Sequence, residues 1–341
     1  MIHRQTLGFW EKHIAYPLEQ HVIQCLWEHY FPGCDNGIII NTTYNMEDTM
    51  PWAHRIMDQG HTEAVLFVSL VDPLAQDSYN DICQLQNKYP HTKVQLAGYC
   101  PFYFPNYDYV DFWALFMEKH FEHYTDAQLL PDHIENVFLS YNRKPHPHRI
   151  HLVEGLFGRL PDTIDVTDLG IVTLGDIDGS DHNNGVLTFE GNTTGIKHNQ
   201  DLGDDRYGIQ AAATALGNLH IWRNSFLSVV AETTANIECH IPFITEKTYK
   251  SILGLRPFIV CGDRGMSDYL HSHGYKTFES RLGFTGPFCP EQLNHAIQKL
   301  STQDLDSLYQ EWLPDLYHNR RNFYKHCATI RDKFGISLLD S

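Results

Sequence analysis

The chain has 341 residues, 42% of them hydrophobic and 20% charged, with a formal net charge of -17 at pH 7. That length suits two domains of ordinary size, and the composition allows a sizeable core, which excludes a disordered or fibrous chain. The acidic excess disfavours wrapping of duplex nucleic acid by the whole surface, and no apolar run approaches the roughly 20 residues of a membrane span.

The first residues, MIHRQTLGFWEKHIAYPLEQ, lack the apolar core of a signal peptide, so a cytoplasmic protein is expected. The 8 cysteines form no close CxxC pair. Several lie in apolar stretches, as Cys261 does, which predicts buried free thiols rather than a disulfide framework. The 22 histidines are scattered.

Phe9, Ile14, Leu18, Val22, Leu26 and Tyr30 recur at helical spacing over residues 8 to 30. A short apolar strand follows at Gly37–Ile40, then a helix from Glu47 to Gln59 with Pro51 near its start and Gly60 as its stop. Ala64–Val71 is a fully apolar strand ending at Asp72-Pro73, and after another helix comes the strand Val94–Ala97. Continuous apolar strands alternating with helices predict a parallel sheet with helices on both faces. The first 131 residues are therefore expected to form a Rossmann-like domain. The stretch from Tyr99 to Tyr124 is unusually aromatic, and its part from Tyr99 to Trp113 is expected to be half core, its exposed members free to stack on a sugar or a flipped base. Leu129–Asp132 has the look of a boundary.

A second strand-helix series begins at Val137–Asn142, and its helix starts near Pro147 and carries Arg149, Leu152, Val153 and Leu156. A strand is expected at Ile171–Leu174. Residues 176 to 207, rich in Gly, Asp and Asn, read as long loops with one possible strand at Val186–Phe189. Pro290–Leu300 is an amphipathic helix, and Leu305–Phe334 is expected to be helical but broken at Pro314. Residues 132 to 341 form the second expected domain, with the last helices crossing back to the first.

The stretch Phe226–Val260 carries the chemistry. It holds a buried-looking strand, the carboxylate Glu232 at its end, a loop, the tripeptide Thr245-Glu246-Lys247 opening a helix, a Gly stop and a second apolar strand. A helix N-terminus offers unpaired N–H groups and the positive end of a dipole, which suit phosphate. Lys247 adds a formal charge in that turn. Glu246 can accept two hydrogen bonds from a ribose diol. Glu232 stands where ligands gather in open α/β sheets, or else caps a neighbouring helix. Earlier, Asn142-Arg143 and Arg149 form a basic turn whose guanidinium groups could clamp a diphosphate.

This order resembles the donor-binding half of the alpha-1,3-fucosyltransferases, in which a strand ending Ala-Phe-Glu-Asn-Ser is followed by a Tyr-x-Thr-Glu-Lys-Leu helix and Ala-Gly-x-x-Pro-Val-Val. The matching residues here are Ala231-Glu232-Thr233-Thr234, Phe243 to Thr248, and Gly254-Leu255-Arg256-Pro257-Phe258-Ile259-Val260. One residue is missing between Ala and Glu, Thr233 replaces Asn, and Phe243 replaces Tyr. The chain also resembles uncharacterised glycosyltransferase-like proteins of phages and large DNA viruses, in which case the host cytoplasm is its expected location. The resemblance covers roughly residues 137 to 270.

The resemblance implies two Rossmann-like domains facing a cleft, the GT-B arrangement. It implies inverting transfer of a sugar from a GDP- or UDP-linked donor to an acceptor hydroxyl, on a glycan or a hydroxymethylated DNA base. Arg149 and Lys247 would stabilise the leaving diphosphate, with Arg143 the rival of Arg149. Asn142 and Thr245 belong to the donor site. Glu246 would hold the ribose, Phe243 would pack near the nucleoside, and Glu232 and Thr233 would line the donor sugar or phosphate, with Glu232 counted beside Asp72 as catalytic. No metal or other cofactor is expected, and Asp176-Ile177-Asp178 reads as a solvated turn that imitates a metal motif. The base would be Asp72, which otherwise is an Asp-Pro turn; Asp108, Asp111 and Glu47 are its rivals. A non-catalytic nucleotide- or sugar-binding module is the alternative.

Overall fold

The computed structural model describes residues 2–4, 16–42, 46–60, 62–70, 74–121, 124–142, 146–174, 196–197, 216, 219–235, 241–286 and 288–337. The chain divides into two compact units, residues 1–119, 238–243 and 325–341 forming one, and 120–237 and 244–324 the other. Both are α/β, each built on a parallel sheet.

The first unit contains β1 (Ile2–Arg4), α1 (Tyr16–Tyr30), β2 (Gly37–Asn41), α2 (Met46–Met57), β3 (Ala64–Ser69), α3 (Gln76–Lys88), β4 (Lys93–Gly98), β5 (Tyr107–Asp108) and α4 (Phe112–His120). The strands lie in sequence order, all parallel. Val65 and Phe67 of β3 join Ile38 and Ile40 against Met50, Ala53 and Met57 of α2 and Ile82 and Leu85 of α3. β3 ends at Ser69, opposite Gly98, two residues before the expected Val71; beyond that pair Tyr99 N–H still donates to Ser69 O at 2.6 Å. The aromatic stretch divides as its composition suggests. Tyr99, Phe104, Phe112 and Trp113 are buried, while Tyr103 is 79% exposed.

The second unit contains α5 (Asp126–Leu129), β6 (Asn136–Asn142), α6 (Pro147–Leu156), β7 (Gly170–Leu174), β8 (Ile196–Lys197), α7 (Leu219–Arg223), β9 (Ser225–Ala231), α8 (Glu246–Leu253), β10 (Phe258–Cys261), α9 (Met266–Ser272), α10 (Glu279–Leu282), α11 (Pro290–Ser301) and most of α12 (Leu305–Phe334). Its strand order is β10-β9-β6-β7-β8, all parallel. The chain starts in the centre, winds outward through β7 and β8, and then resumes on the other side with β9 and β10. That reversal creates a switch point between the C-terminal ends of β6 and β9, where connections leave in opposite directions and open a crevice. The strand expected at residues 186–189 lies outside the described residues.

One expectation is corrected. Helix α12 is not broken at Pro314 but runs unbroken from Leu305 to Phe334. Proline removes only the N–H that would bond the carbonyl of Gln310. Tyr309, Trp312, Leu316 and Phe323 are all buried along the helix, and that burial outweighs one lost bond.

The second unit is knitted around Arg256, which is fully buried. Its guanidinium donates to the carbonyls of Trp222 (2.9 Å), Leu129 (2.8 Å), Arg223 (2.7 Å) and Leu255 (2.9 Å) and to Tyr309 Oη (2.9 Å). Leu255 adopts a left-handed φ of 54°, uncommon for a branched side chain. The strain is offset because its carbonyl also accepts from Tyr309 Oη at 2.9 Å. Arg256→Met strands these carbonyls in the core and should cost about 3 kcal/mol or more. A fall of at least several degrees in the melting temperature checks it, and a change within one degree would contradict the role assigned to Arg256.

Candidate functional site at the switch point

Strand β9 delivers Glu232 just beyond its last residue, and the side chain is fully buried. A lone buried carboxylate would be costly, but this one is surrounded by donors. Oε1 accepts from Thr245 N–H at 3.1 Å and Thr248 Oγ1 at 2.5 Å. Oε2 accepts from Thr245 Oγ1 at 2.5 Å and Thr233 N–H at 3.3 Å. Glu232 therefore fastens the end of β9 to the first turn of α8. Of its two sequence readings, the geometry is that of the cap, since both oxygens are engaged and neither is left to take a proton from an acceptor.

Helix α8 starts here for local reasons. Thr245 is its N-cap, with extended backbone and Oγ1 accepting from Lys247 N–H. Tyr249, Ile252 and Leu253 give the buried stripe, and Ser251 Oγ bonds Ser228 Oγ of β9 at 2.8 Å. Gly254 ends the helix where a Cβ would lie 2.7 Å from the Trp222 ring.

Lys247 Nζ sits over this turn. Its three protons meet Thr233 Oγ1 (3.1 Å), Thr245 Oγ1 (3.1 Å) and Glu246 Oε1 (2.9 Å). An incoming anion must replace at least one of these acceptors. Burial would push the Glu246 carboxyl up, but Lys247 and Lys250 outweigh it and hold the group below its ordinary range. Glu246 is thus anionic and offers only acceptors.

Helix α6 brings Arg149, which is buried and whose Nη2 donates to the Glu232 carbonyl at 3.0 Å. Its neighbour His148 bonds the same carbonyl through Nε2 at 2.8 Å. Asn142, at the end of β6, is buried with Nδ2 on Ser140 Oγ at 3.0 Å. The fold thus gathers Asn142, Arg149, Glu232, Thr233, Thr245, Glu246 and Lys247 at the β6–β9 end of one sheet. Phe243 belongs to the first unit. Its ring is buried, edge-on to Tyr99 of the first unit with centroids 4.5 Å apart. Arg143, Asp72 and the Asp176–Asp178 motif lie outside the described residues.

Two of the rival carboxylates of the first unit, Asp111 and Asp108, are engaged. Asp111 is fully buried and accepts from Tyr99 Oη, Ala114 N–H and His326 Nε2 at 2.8, 3.0 and 3.2 Å. Asp108 accepts from Tyr30 Oη at 2.9 Å and Lys333 Nζ at 2.5 Å. Glu47 lies in α2.

Two features escape a reading of the sequence. Thr248 and His148 contact Glu232 only because α8 and α6 meet the end of β9; each sits one residue from a singled-out position, which is the only signal the sequence holds. The second is a cavity of about 370 Å³ past β10, lined among others by Gly262, Asp263, Ser267, Glu279, Phe284 and Phe288. It begins next to the switch point. A Cβ on Gly262 would lie 3.5 Å from Glu232 Cβ, and Thr234 Oγ1 donates to Asp263 at 2.8 Å. Glu279 Oε2 is buried there with no hydrogen-bond partner.

No group of three or more His, Cys, Asp or Glu side chains arranged to hold a metal occurs among the described residues. No helix among them is long and apolar enough to cross a membrane. The seven described cysteines, Cys25, Cys34, Cys83, Cys100, Cys261, Cys289 and Cys327, are free thiols. Comparison of the chain with protein-family models, with curated proteins and with solved structures finds no match.

Glu232→Ala strips an acceptor from two hydroxyls and two N–H groups and should destabilise the chain by about 3 kcal/mol. Chemical denaturation measures this, and a loss below about 1 kcal/mol would remove Glu232 from its capping role. Burial, with Arg149 and Lys247 alongside, holds the His148 imidazole below its ordinary range, against the Glu232 carbonyl bond and Asp263. The folded chain therefore binds fewer protons at this site than the unfolded one once the pH falls below about 6.5. Stability should drop through that range, and less steeply in His148→Gln.

Proposed function

We propose that the second unit binds a nucleotide-diphosphate sugar and that the chain is an inverting glycosyltransferase with two Rossmann-like domains in the GT-B arrangement. The observation that carries this reading is the convergence of Arg149, Lys247 and the N-terminus of α8 on the β6–β9 switch point of a parallel sheet. Two cations and a helix dipole suit a diphosphate, whose growing charge is the main electrostatic demand when a glycosidic bond to phosphate breaks. Glu246 is an anionic acceptor beside Lys247, fit for a ribose diol. The adjoining cavity past β10 offers apolar walls and carboxylates for an uncharged part of the same ligand.

In this reading the sugar leaves a GDP or UDP carrier for an acceptor hydroxyl, on a glycan or a hydroxymethylated DNA base. Asp72 takes the hydroxyl proton on the face opposite the departing diphosphate. Both DNA strands and this chain are anionic, so a DNA acceptor would bind through a local cationic surface and lose affinity steeply as salt rises, whereas a neutral glycan would not.

A second reading keeps the ligand and drops the chemistry. Glu232, Asp111 and Asp108 are all engaged by internal donors, which favours a nucleotide- or sugar-binding module.

A thermal-shift panel with GDP, UDP, CDP, ADP, dTDP and their common sugar conjugates, with and without EDTA, tests the site. Ligand at 100 times its dissociation constant adds about 2.7 kcal/mol of apparent stability, a rise of several degrees for a chain of this size. The expected result is a selective rise that EDTA does not change and Lys247→Ala abolishes. A flat panel with folded protein overturns the reading. Asp72→Asn then separates the two readings. A transferase loses turnover by about a hundredfold or more while keeping donor binding, and a binding module has no turnover to lose.

A further inference from the structure

Arg149 and His148 are consecutive on α6 and converge on one acceptor, the Glu232 carbonyl, at 3.0 and 2.8 Å. A carbonyl can only accept, so His148 Nε2 carries a hydrogen and the lone pair of the neutral ring is on Nδ1. The site places around this ring His146 at the N-cap of α6, Arg149 on α6, Glu232 at the end of β9, Lys247 on α8 and Asp263 past β10. Asp263 already accepts from Thr234 Oγ1 at 2.8 Å.

We propose that His148 is a third cation of the diphosphate site, taking up one proton from solvent on Nδ1 as the ligand binds. This rests on the diphosphate reading of the site and adds a residue and a proton to it. In the ligand-free protein the ring is half-buried beside two permanent cations, and both disfavour a third positive charge. A nucleotide sugar brings two negative charges to Arg149 and Lys247. They cancel the repulsion and add attraction of their own, and an imidazole needs little push to charge near neutral pH. No covalent step is involved; the proton comes from water or buffer, and Nε2 keeps its bond to the carbonyl throughout.

Binding and protonation are linked, so donor affinity must fall as pH rises. Between pH 6.5 and 8.5 the dissociation constant should weaken about ten- to fiftyfold, the limit for one proton being tenfold per pH unit. Titration calorimetry on the full chain with UDP-glucose and GDP-mannose measures the proton directly. Their diphosphate diesters do not titrate near neutrality, so a difference in heat between buffers of unequal ionisation enthalpy reports groups on the protein. His148→Gln retains an N–H for the Glu232 carbonyl but cannot titrate, and His146→Gln is the control.

The expected result is about half to one proton taken up per ligand at pH 7.5 in the wild type and in His146→Gln, and none in His148→Gln. Binding without proton uptake in the wild type needs no variant to interpret and overturns the proposal, leaving the diphosphate site intact. Undiminished uptake in a folded His148→Gln also overturns it, by sending the proton elsewhere. Failure of folded wild-type protein to bind either donor overturns this proposal and the diphosphate reading together.

Discussion

The second unit depends on one buried negative charge. Glu232 stands fully buried at the end of β9, and the fold supplies its solvation through two hydroxyls and two N–H groups. Those donors fix where α8 begins, and so where its dipole and Lys247 point. The carbonyl of the same residue anchors Arg149 and His148 from α6. One residue therefore sets the relative placement of three elements, and the carboxylate that reads from sequence as a reactant acts instead as a positioning group.

The electrostatics of this region differ from those of the whole chain. A net charge of -17 repels polyanions at long range, but ions in water screen that field within about 8 Å at physiological salt. At the switch point the nearby donors and acceptors therefore outweigh the overall charge of the chain. Glu246 offsets Lys247 and the Glu232 carboxylate offsets Arg149 in the ligand-free protein, so the balance there is tipped by the α8 N-terminus and any proton on His148. A site so balanced would have modest attraction for anions at rest, and on the proposal made above it would gain from a group that charges only when the ligand arrives.

Arg256 shows the opposite use of a buried charge. It has four carbonyls and a tyrosine hydroxyl around it and no carboxylate among those partners. It binds the loop between α8 and β10 to α5, α7 and α12. The left-handed Leu255 beside it is tolerated because its carbonyl serves that cluster. This rigidity lies behind the sheet, away from the C-terminal strand ends where a ligand would enter.

Much of the fold was legible in the sequence. The strands at residues 37, 64, 94, 137, 171 and 226 are short apolar runs between polar turns, and burial on both faces is what makes such runs parallel strands. The α8 start was legible too, because Thr245 and its acidic and basic neighbours carry capping chemistry in the sequence itself. Pro314 misled because local propensity favours a break, while the buried rings on either side of it are a tertiary fact. Strand order was invisible, since the reversal between β8 and β9 leaves no local mark, and that order alone creates the switch point. The fate of Glu232 was undecided for the same reason. Sequence placed a carboxylate at a strand end, and only the approach of α8 made it a cap. Sequence by itself determined which segments are strands and helices and which residues carry charge, because periodicity and capping act within a few residues. The tertiary structure decided which charges are solvated by protein and which face a crevice, because that depends on contacts between residues far apart in the chain.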